Sequence, residues 1–357
     1  MIERSYRLTF NTPAFLGNAE QNGQWRTPPI KALLRQWWRV AYAAEHAQGL
    51  SVEAMWHAEG VLFGHAWLEN DRDARGNKVA ARRSEVRLRL SDWSVGDLPG
   101  SRWESLPQVR HPEVQQPVAA DLYLGYGPVT LPRGQRAPAL KAAAAIQSGK
   151  RAELRVAVPD AEATRVQCAL ALMNLYGTLG GRSRNGWGSF SLTPLDGTPA
   201  LAGDLNRALT LPWKDALASD WPQALGCSEG DQPLIWQTEA FDDWKKVMVQ
   251  LARTKIALRR LFLFPHERPD GQIHDRHWLS YPVTTHKVQA WDRQNLRLPN
   301  TLRFKVRPGE DGKGLRGVIF HVPCKPPAAF GSNKATLERV WQQVHAHLDA
   351  SLKRSPA

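Results

Sequence analysis

The chain has 357 residues, a formal charge of +13 and a pI of about 9.9, and 42% of its residues are hydrophobic. This length predicts two domains, and the excess of basic over acidic residues favours nucleic acid or an acidic surface as partner. Three widely spaced cysteines argue against a disulfide framework or a C-x-x-C zinc site, and without a signal-peptide pattern or a long apolar run we expect a cytoplasmic protein with no membrane partner.

The first elements are a strand and an amphipathic helix. Alternating residues predict a strand over 5–12, and Thr27-Pro28-Pro29 is typical of a helix start, with the helix running over 30–45. Lys31, Arg35 and Arg39 recur every four residues and so share one face within an arc of about 80°. This cationic ridge is either solvated charge or a contact to backbone phosphate, and the sequence leaves both open.

The middle of the first half is mostly β. A basic strand is predicted over 82–90, an irregular insertion over 94–120 and a strand over 122–125. A hairpin over 142–158 and a helix over 161–176 follow. The element order indicates a split β-α-β domain of ferredoxin-like type over residues 1–195.

A glycine-rich loop, residues 177–189, follows that helix and leads into a short strand. It holds five glycines, two arginines and no acidic residue, a composition suited to holding a polyanion against main chain. It is not a Walker loop, because Trp187 stands where the lysine would be. It is not a dinucleotide fingerprint either, since it follows a helix instead of opening one. The alternative is a plain connection with arginines facing solvent.

The second half repeats the pattern less clearly. Residues 196–235 lack periodicity and are predicted to be a linker. A basic helix over 241–262, strands over 279–284, 301–306 and 317–322, and a helix over 333–353 follow. We therefore expect a degenerate second ferredoxin-like domain over 236–357.

Three segments together resemble the RAMP superfamily of CRISPR-associated proteins, and more specifically the family of the first-numbered subunit of the type III-B (Cmr) effector complex. They are residues 12–17, 26–39 and 180–189. The resemblance implies an α+β fold of two ferredoxin-like (RRM-like, split β-α-β) RAMP domains in tandem. It also implies a non-catalytic RNA-binding subunit in antiviral defence, at the head of the complex near the crRNA 3′ end, with crRNA, target RNA and other RAMP subunits as partners. No cofactor and no metal are implied.

Candidate RNA-contacting residues come from the ridge and the loop. They are Lys31, Arg35, Arg39, Gly180, Gly181, Arg182, Arg184, Gly186 and Trp187. Two other functions stay open. A metal-independent endoribonuclease that processes precursor crRNA would need a histidine or a lysine as general acid or base, with His46, His57 and His65 as candidates. A stand-alone single-stranded RNA-binding protein would stack bases on an exposed Trp25 or Trp187.

Two further clusters carry weaker signals. Asp71 and Asp73 lie in a polar loop at a place only vaguely similar to that of the family's target-cleaving aspartate. His266, His274 and His277 form the chain's one histidine cluster, but their spacing matches no metal pattern and Pro and Gly surround them. We expect a surface loop there.

Overall fold

The computed structural model describes residues 1–46, 50–66, 68–113, 116–141, 144–203, 205, 207–265, 270–283, 285–309 and 312–355. The chain divides into two compact units. Unit 1 comprises Met1–Trp103, Leu140–Ser183 and Trp187–Leu209. Unit 2 comprises Glu104–Ala139, Arg184–Gly186 and Thr210–Ala357.

The strands are β1 (Ile2–Phe10), β2 (Arg87–Leu90), β3 (Leu98–Pro99), β4 (Gln108–Val109), β5 (Val118–Ala119), β6 (Val129–Thr130), β7 (Ala139–Leu140), β8 (Ala144–Ala145), β9 (Arg151–Val158), β10 (Phe190–Leu195), β11 (Thr210–Pro212), β12 (Leu225–Cys227), β13 (Ile235–Gln237), β14 (Leu302–Pro308), β15 (Leu315–His321) and β16 (Lys353–Arg354). The helices are α1 (Thr27–Glu45), α2 (Val52–Phe63), α3 (Ala120–Gly125), α4 (Ala163–Tyr176), α5 (Trp213–Ala216), α6 (Trp244–Arg260), α7 (Gln289–Arg293) and α8 (Lys334–Ser351).

Unit 1 is built on an antiparallel sheet of order β10-β1-β9-β2. Its main elements follow the order β1-α1-β2-β9-α4-β10, so the strands stand 4-1-3-2 when counted within the unit. Strand β1 alternates, and its apolar residues Tyr6, Leu8 and Phe10 are completely buried. Trp37 and Trp38 of α1 are buried as well, as on the apolar face of an amphipathic helix.

Unit 2 repeats this order. Its sheet runs β14-β15-β13-β16, and its main elements are β13-α6-β14-β15-α8-β16. Counted within the unit, the strands again stand 4-1-3-2 from the β16 edge. Trp236, Phe304 and Ile319 from the sheet and Val247 and Val344 from the helices are buried. The α+β class predicted from the sequence is confirmed.

Two predicted strands are wrong. Residues 122–125 lie in α3, which packs on α6 with Leu124 fully buried. A short apolar run carries no period that separates strand from helix, so packing decides. Over the described part of 279–284 only Tyr281 makes a bridge, to Leu298. The predicted linker region contains β11, α5 and β12; the predicted domain boundaries stay a prediction.

Candidate nucleic-acid interface

The glycine-rich loop is closed at its base by backbone pairing. Thr178 bridges Ser189, and the amide of Leu179 donates to the carbonyl of Gly188 at 2.9 Å. The segment after β1 holds one side of the loop, because Gly188 N donates to Pro13 O and Gly181 N to Phe15 O, each at 2.9 Å. The loop is thus a fixed structure.

The glycines serve the fold of the loop itself. Gly188 has φ +62°, and a Cβ there would lie 1.8 Å from the carbonyl oxygen of Leu179. Gly180 has φ +91°, and its Cβ would lie 2.6 Å from the oxygen of Phe15. We expected main-chain amides of this loop to bind phosphate. At Gly181 this is wrong, because its N–H already donates to the carbonyl of Phe15.

The two arginines keep exposed surface, although burial of part of the side chain lowers the pKa of the Arg184 guanidinium. Arg182 and Arg184 are both exposed, and within the described part of the chain neither forms a salt bridge. Arg182 has φ +54°, a left-handed conformation that residues with a Cβ adopt at a cost. The chain holds this arginine at the loop apex despite that cost.

Residues 184–186 belong to unit 2, and Asn185 anchors them there. Asn185 Nδ2 donates to Leu124 O at 2.7 Å, and its Oδ1 accepts from Lys255 Nζ at 2.9 Å. Phe304 N donates to Arg184 O at 2.9 Å. Gly186 is buried with φ +92°, so a side chain there would press on Met248. No pattern in the sequence indicates the anchoring role of Asn185.

Both tryptophans expected to stack on bases are buried. Trp187 is fully buried, with its ring centroid 5.2 Å from that of Phe15 and 5.8 Å from that of Trp103. Trp25 is 3% exposed and lies against Phe10 at 5.1 Å. The expectation of exposure is wrong because large aromatic rings stabilise the core more than a surface. Neither ring can stack on RNA in this structure.

The cationic ridge of α1 is paired with residues of α2. Glu59 of α2 is 1% exposed and accepts from Arg35 Nε at 2.6 Å and from Arg39 Nε and Nη2 at 2.6 and 2.8 Å. Lys31 Nζ donates to the carbonyl of Phe63 at 3.0 Å, and burial, with Arg35 next, lowers the pKa of its ammonium group. The ridge therefore serves first to hold α2 against α1, and we call these contacts the structural clasp. Glu59 was missed because a single acidic residue in a short helix carries no distinguishing pattern.

Asp71 and Asp73 of the polar loop and the nearby His65 also form hydrogen bonds within the chain. Asp71 is 1% exposed and accepts from Arg82 Nε at 2.6 Å and Nη2 at 2.8 Å. His65 Nε2 lies 2.7 Å from Asp71 Oδ2, while its Nδ1 accepts from Leu68 N. The hydrogen bond from Arg82 is the main cause that holds the pKa of Asp71 far below its usual range. Asp73 accepts from the amides of Arg75 and Asn77, as in an Asx turn.

His46 and His277 show similar internal contacts, and His57 lies half-buried on α2. His46 Nδ1 lies 2.8 Å from Tyr42 O, and its ring stacks on the Tyr42 ring. His277 accepts from His274 N and lies 2.8 Å from His286 O through Nε2. His266 lies outside the described residues. Among those that are described, no group of three or more His, Cys, Asp or Glu side chains is arranged to hold a metal ion.

No family model and no curated protein matches the chain. The chain is similar in fold to Cmr1 and to chains of CRISPR assemblies. The crystal structure of apo Cmr1 from Pyrococcus furiosus has 16% identity and a TM-score of 0.44, covering 98% of this chain and 97% of that one. A chain of the type III-B Cmr-beta complex bound to cognate target RNA and AMPPnP has 12% identity and a TM-score of 0.42, covering 96% and 99%.

A chain of a type IV-B CRISPR complex matches at 13% identity and a TM-score of 0.32, over 57% of this chain and 94% of that one. These neighbours include the family that the sequence motifs resemble, but such identities and TM-scores do not assign the chain to it. None of the helices in the described residues is long and apolar enough to span a bilayer.

Proposed function

We propose that the chain is a non-catalytic RNA-binding subunit of a type III-B CRISPR (Cmr) effector complex, acting in the cytoplasm in antiviral defence. Its two units are then ferredoxin-like RAMP domains in tandem, in keeping with the 4-1-3-2 strand order of each sheet. The motifs at 12–17, 26–39 and 180–189 support the family, and with it a place at the head near the crRNA 3′ end. The partners are crRNA, target RNA and other RAMP subunits.

One observation carries RNA binding: Arg182 and Arg184 of the loop are both exposed. A guanidinium is permanently charged and its planar fork matches phosphate oxygens. Because the loop is already fixed by its own hydrogen bonds, little conformational entropy is lost when a phosphate binds. The loop therefore contributes phosphate contacts through side chains, not through a cradle of amides.

The absence of catalysis is part of the proposal. RNA cleavage without metal needs a general acid or base that reaches the 2′-hydroxyl. His65 is buried with both ring nitrogens hydrogen-bonded, and Asp71 is held ionised by Arg82. These contacts favour a structural role for both residues.

The test is a filter-binding titration of single-stranded RNA over a range of salt. Arg182→Ala with Arg184→Ala is expected to weaken binding and to reduce the slope of log K against log salt by up to about 1.4, from about 0.7 for each lost phosphate contact. The paired Arg→Lys variant is the control that keeps the charge. An unchanged slope in the alanine variant contradicts the role of the loop.

Catalysis is tested separately. Purified protein is incubated with end-labelled RNA with and without a divalent metal, and intact RNA is expected in both. Discrete products that disappear when a single histidine is replaced would show an endoribonuclease instead.

A further inference from the structure

The sheet of unit 1 has one covered face and one open face. On β1, Tyr6, Leu8 and Phe10 point to the covered face, where the Tyr6 hydroxyl donates to Gln167 of α4 at 3.1 Å. The alternate residues of the same strands point the other way. On β9 the burial alternates in step, with Leu154 and Val156 buried and Arg155 between them exposed.

Arginines dominate the open face. They are Arg7 on β1, Arg87 and Arg89 on β2, and Arg151 and Arg155 on β9, and all five are exposed. The sheet register brings them together from segments far apart in the chain. Arg89 lies directly opposite Arg155, and Arg87 is two residues along the same strand.

Few acidic groups offset this charge. Glu153 lies between Arg151 and Arg155 on β9 and forms a salt bridge with Arg155. Glu3 and Asp196 act on Arg155 only through weaker electrostatic interactions. Across the described chain, the other four arginines of this face form no salt bridge.

Folding accounts for only part of this arrangement, because Arg7 lies opposite Glu153 in the sheet register whereas Arg89 lies opposite Arg155. Like charges directly opposite each other on neighbouring strands destabilise a sheet, and solvent-exposed strand positions accept many polar residues. No described residue on the open face is aromatic, in contrast to RNA-binding sheets that stack bases. A ligand for this face therefore carries repeated negative charge and needs no stacking.

We propose that this arginine face, Arg7, Arg87, Arg89, Arg151 and Arg155, binds the phosphate backbone of single-stranded RNA without regard to base sequence. It rests on the proposed function and adds a second RNA-contacting surface to the glycine-rich loop. Charge complementarity selects the occupant, because an RNA strand presents phosphates in sequence and guanidinium groups bind them bidentately. The strands hold the arginines on a rigid platform, so binding orders only side chains.

The experiment compares two triple variants of the full chain. Arg7→Gln with Arg89→Gln and Arg151→Gln removes three charges from the face. Arg133→Gln with Arg136→Gln and Arg253→Gln removes three exposed charges elsewhere. Binding to oligouridylate and to a mixed-sequence oligonucleotide of equal length is measured over a range of salt.

The face variant is expected to bind both RNAs roughly tenfold more weakly, with a salt slope lower by up to about 2, from about 0.7 for each lost contact. The control variant should keep a slope near that of the wild type. Thermal melting at low salt should show the face variant close in stability to the wild type, because the loss of Arg7 opposite Glu153 and the removal of the repulsion between Arg89 and Arg155 act in opposite directions.

Each other outcome is decisive. Equal losses in the two triple variants would show a net-charge effect and overturn the proposal. A loss confined to one RNA sequence would overturn backbone recognition. If the face variant keeps its RNA affinity while the Arg182 and Arg184 variant loses affinity, the arginine face is not a binding surface, and the proposed function still holds. A wild-type chain without RNA affinity rejects both.

Discussion

Replacing Glu59 by glutamine tests whether the basic ridge of α1 is a structural clasp. The carboxylate is 1% exposed and accepts three hydrogen bonds from Arg35 and Arg39. Glutamine keeps the shape of the side chain but removes the charge and offers only one oxygen as acceptor. The change therefore isolates the ionic contact between α1 and α2.

The magnitude follows from the exposure of the partners. Removing one member of a fully buried ion pair costs about 3–5 kcal/mol. The side chains of Arg35 and Arg39 are 32% and 40% exposed, so water can rehydrate much of their charge when the carboxylate is lost. We therefore expect a loss of about 2 kcal/mol, which corresponds to about 4–8 °C in the melting temperature of a unit of this size.

The assay is thermal unfolding followed by circular dichroism, with Glu69→Gln as a control. Glu69 is an exposed carboxylate in the segment that follows α2, and its replacement should cost less than about 0.5 kcal/mol. A double-mutant cycle with Arg39→Gln should show a loss smaller than the sum of the two single losses. Equal melting temperatures for the two glutamate variants would show that the ion pairs of Glu59 with Arg35 and Arg39 do not stabilise the protein.

Three further predictions concern stability. Gly188→Ala should cost more than about 2 kcal/mol in urea unfolding, because its Cβ meets the Leu179 oxygen, whereas Gly197→Ala, also at positive φ (+70°) but in open space, should cost about 1–2 kcal/mol. Burial, with Arg354 as the next cause, lowers the pKa of His345 to about 3. The contribution of this histidine to stability is therefore constant above pH 6.5, the ordinary pKa of histidine, and falls by about 1.4 kcal/mol per pH unit below it. His345→Gln should reduce that slope. Asp71→Asn should lower the melting temperature through the loss of its Arg82 contact but leave RNA binding unchanged, whereas weakened binding would contradict a structural role.

Local patterns of the sequence predicted much of the fold. The four-residue spacing on α1 identified its cationic face and the alternation on β1 identified a strand, because side-chain direction follows the period of each element. The glycines of the loop marked a place of close backbone approach. They did not reveal that the approaching backbone is the chain's own, from Phe15 and Leu179.

Interactions between distant segments could not be predicted in this way. Glu59 lies 20 residues from Arg39, and nothing in either helix shows that they meet. The sequence marked Arg87 and Arg89 as a basic strand, but only the sheet register places Arg155 opposite Arg89. Exposure of Trp187 was misjudged because a tryptophan between glycines looks the same in sequence whether it stacks on RNA or fills the core.

We propose that this chain is an RNA-binding subunit of a type III-B effector complex. Affinity purification of the tagged chain from its native host, followed by RNA sequencing and mass spectrometry, is the test of this assignment. We expect small RNAs of uniform length to co-purify together with several other RAMP subunits. Recovery of the chain alone with RNAs of mixed length would indicate a stand-alone RNA-binding protein, and recovery without RNA would contradict the claim altogether.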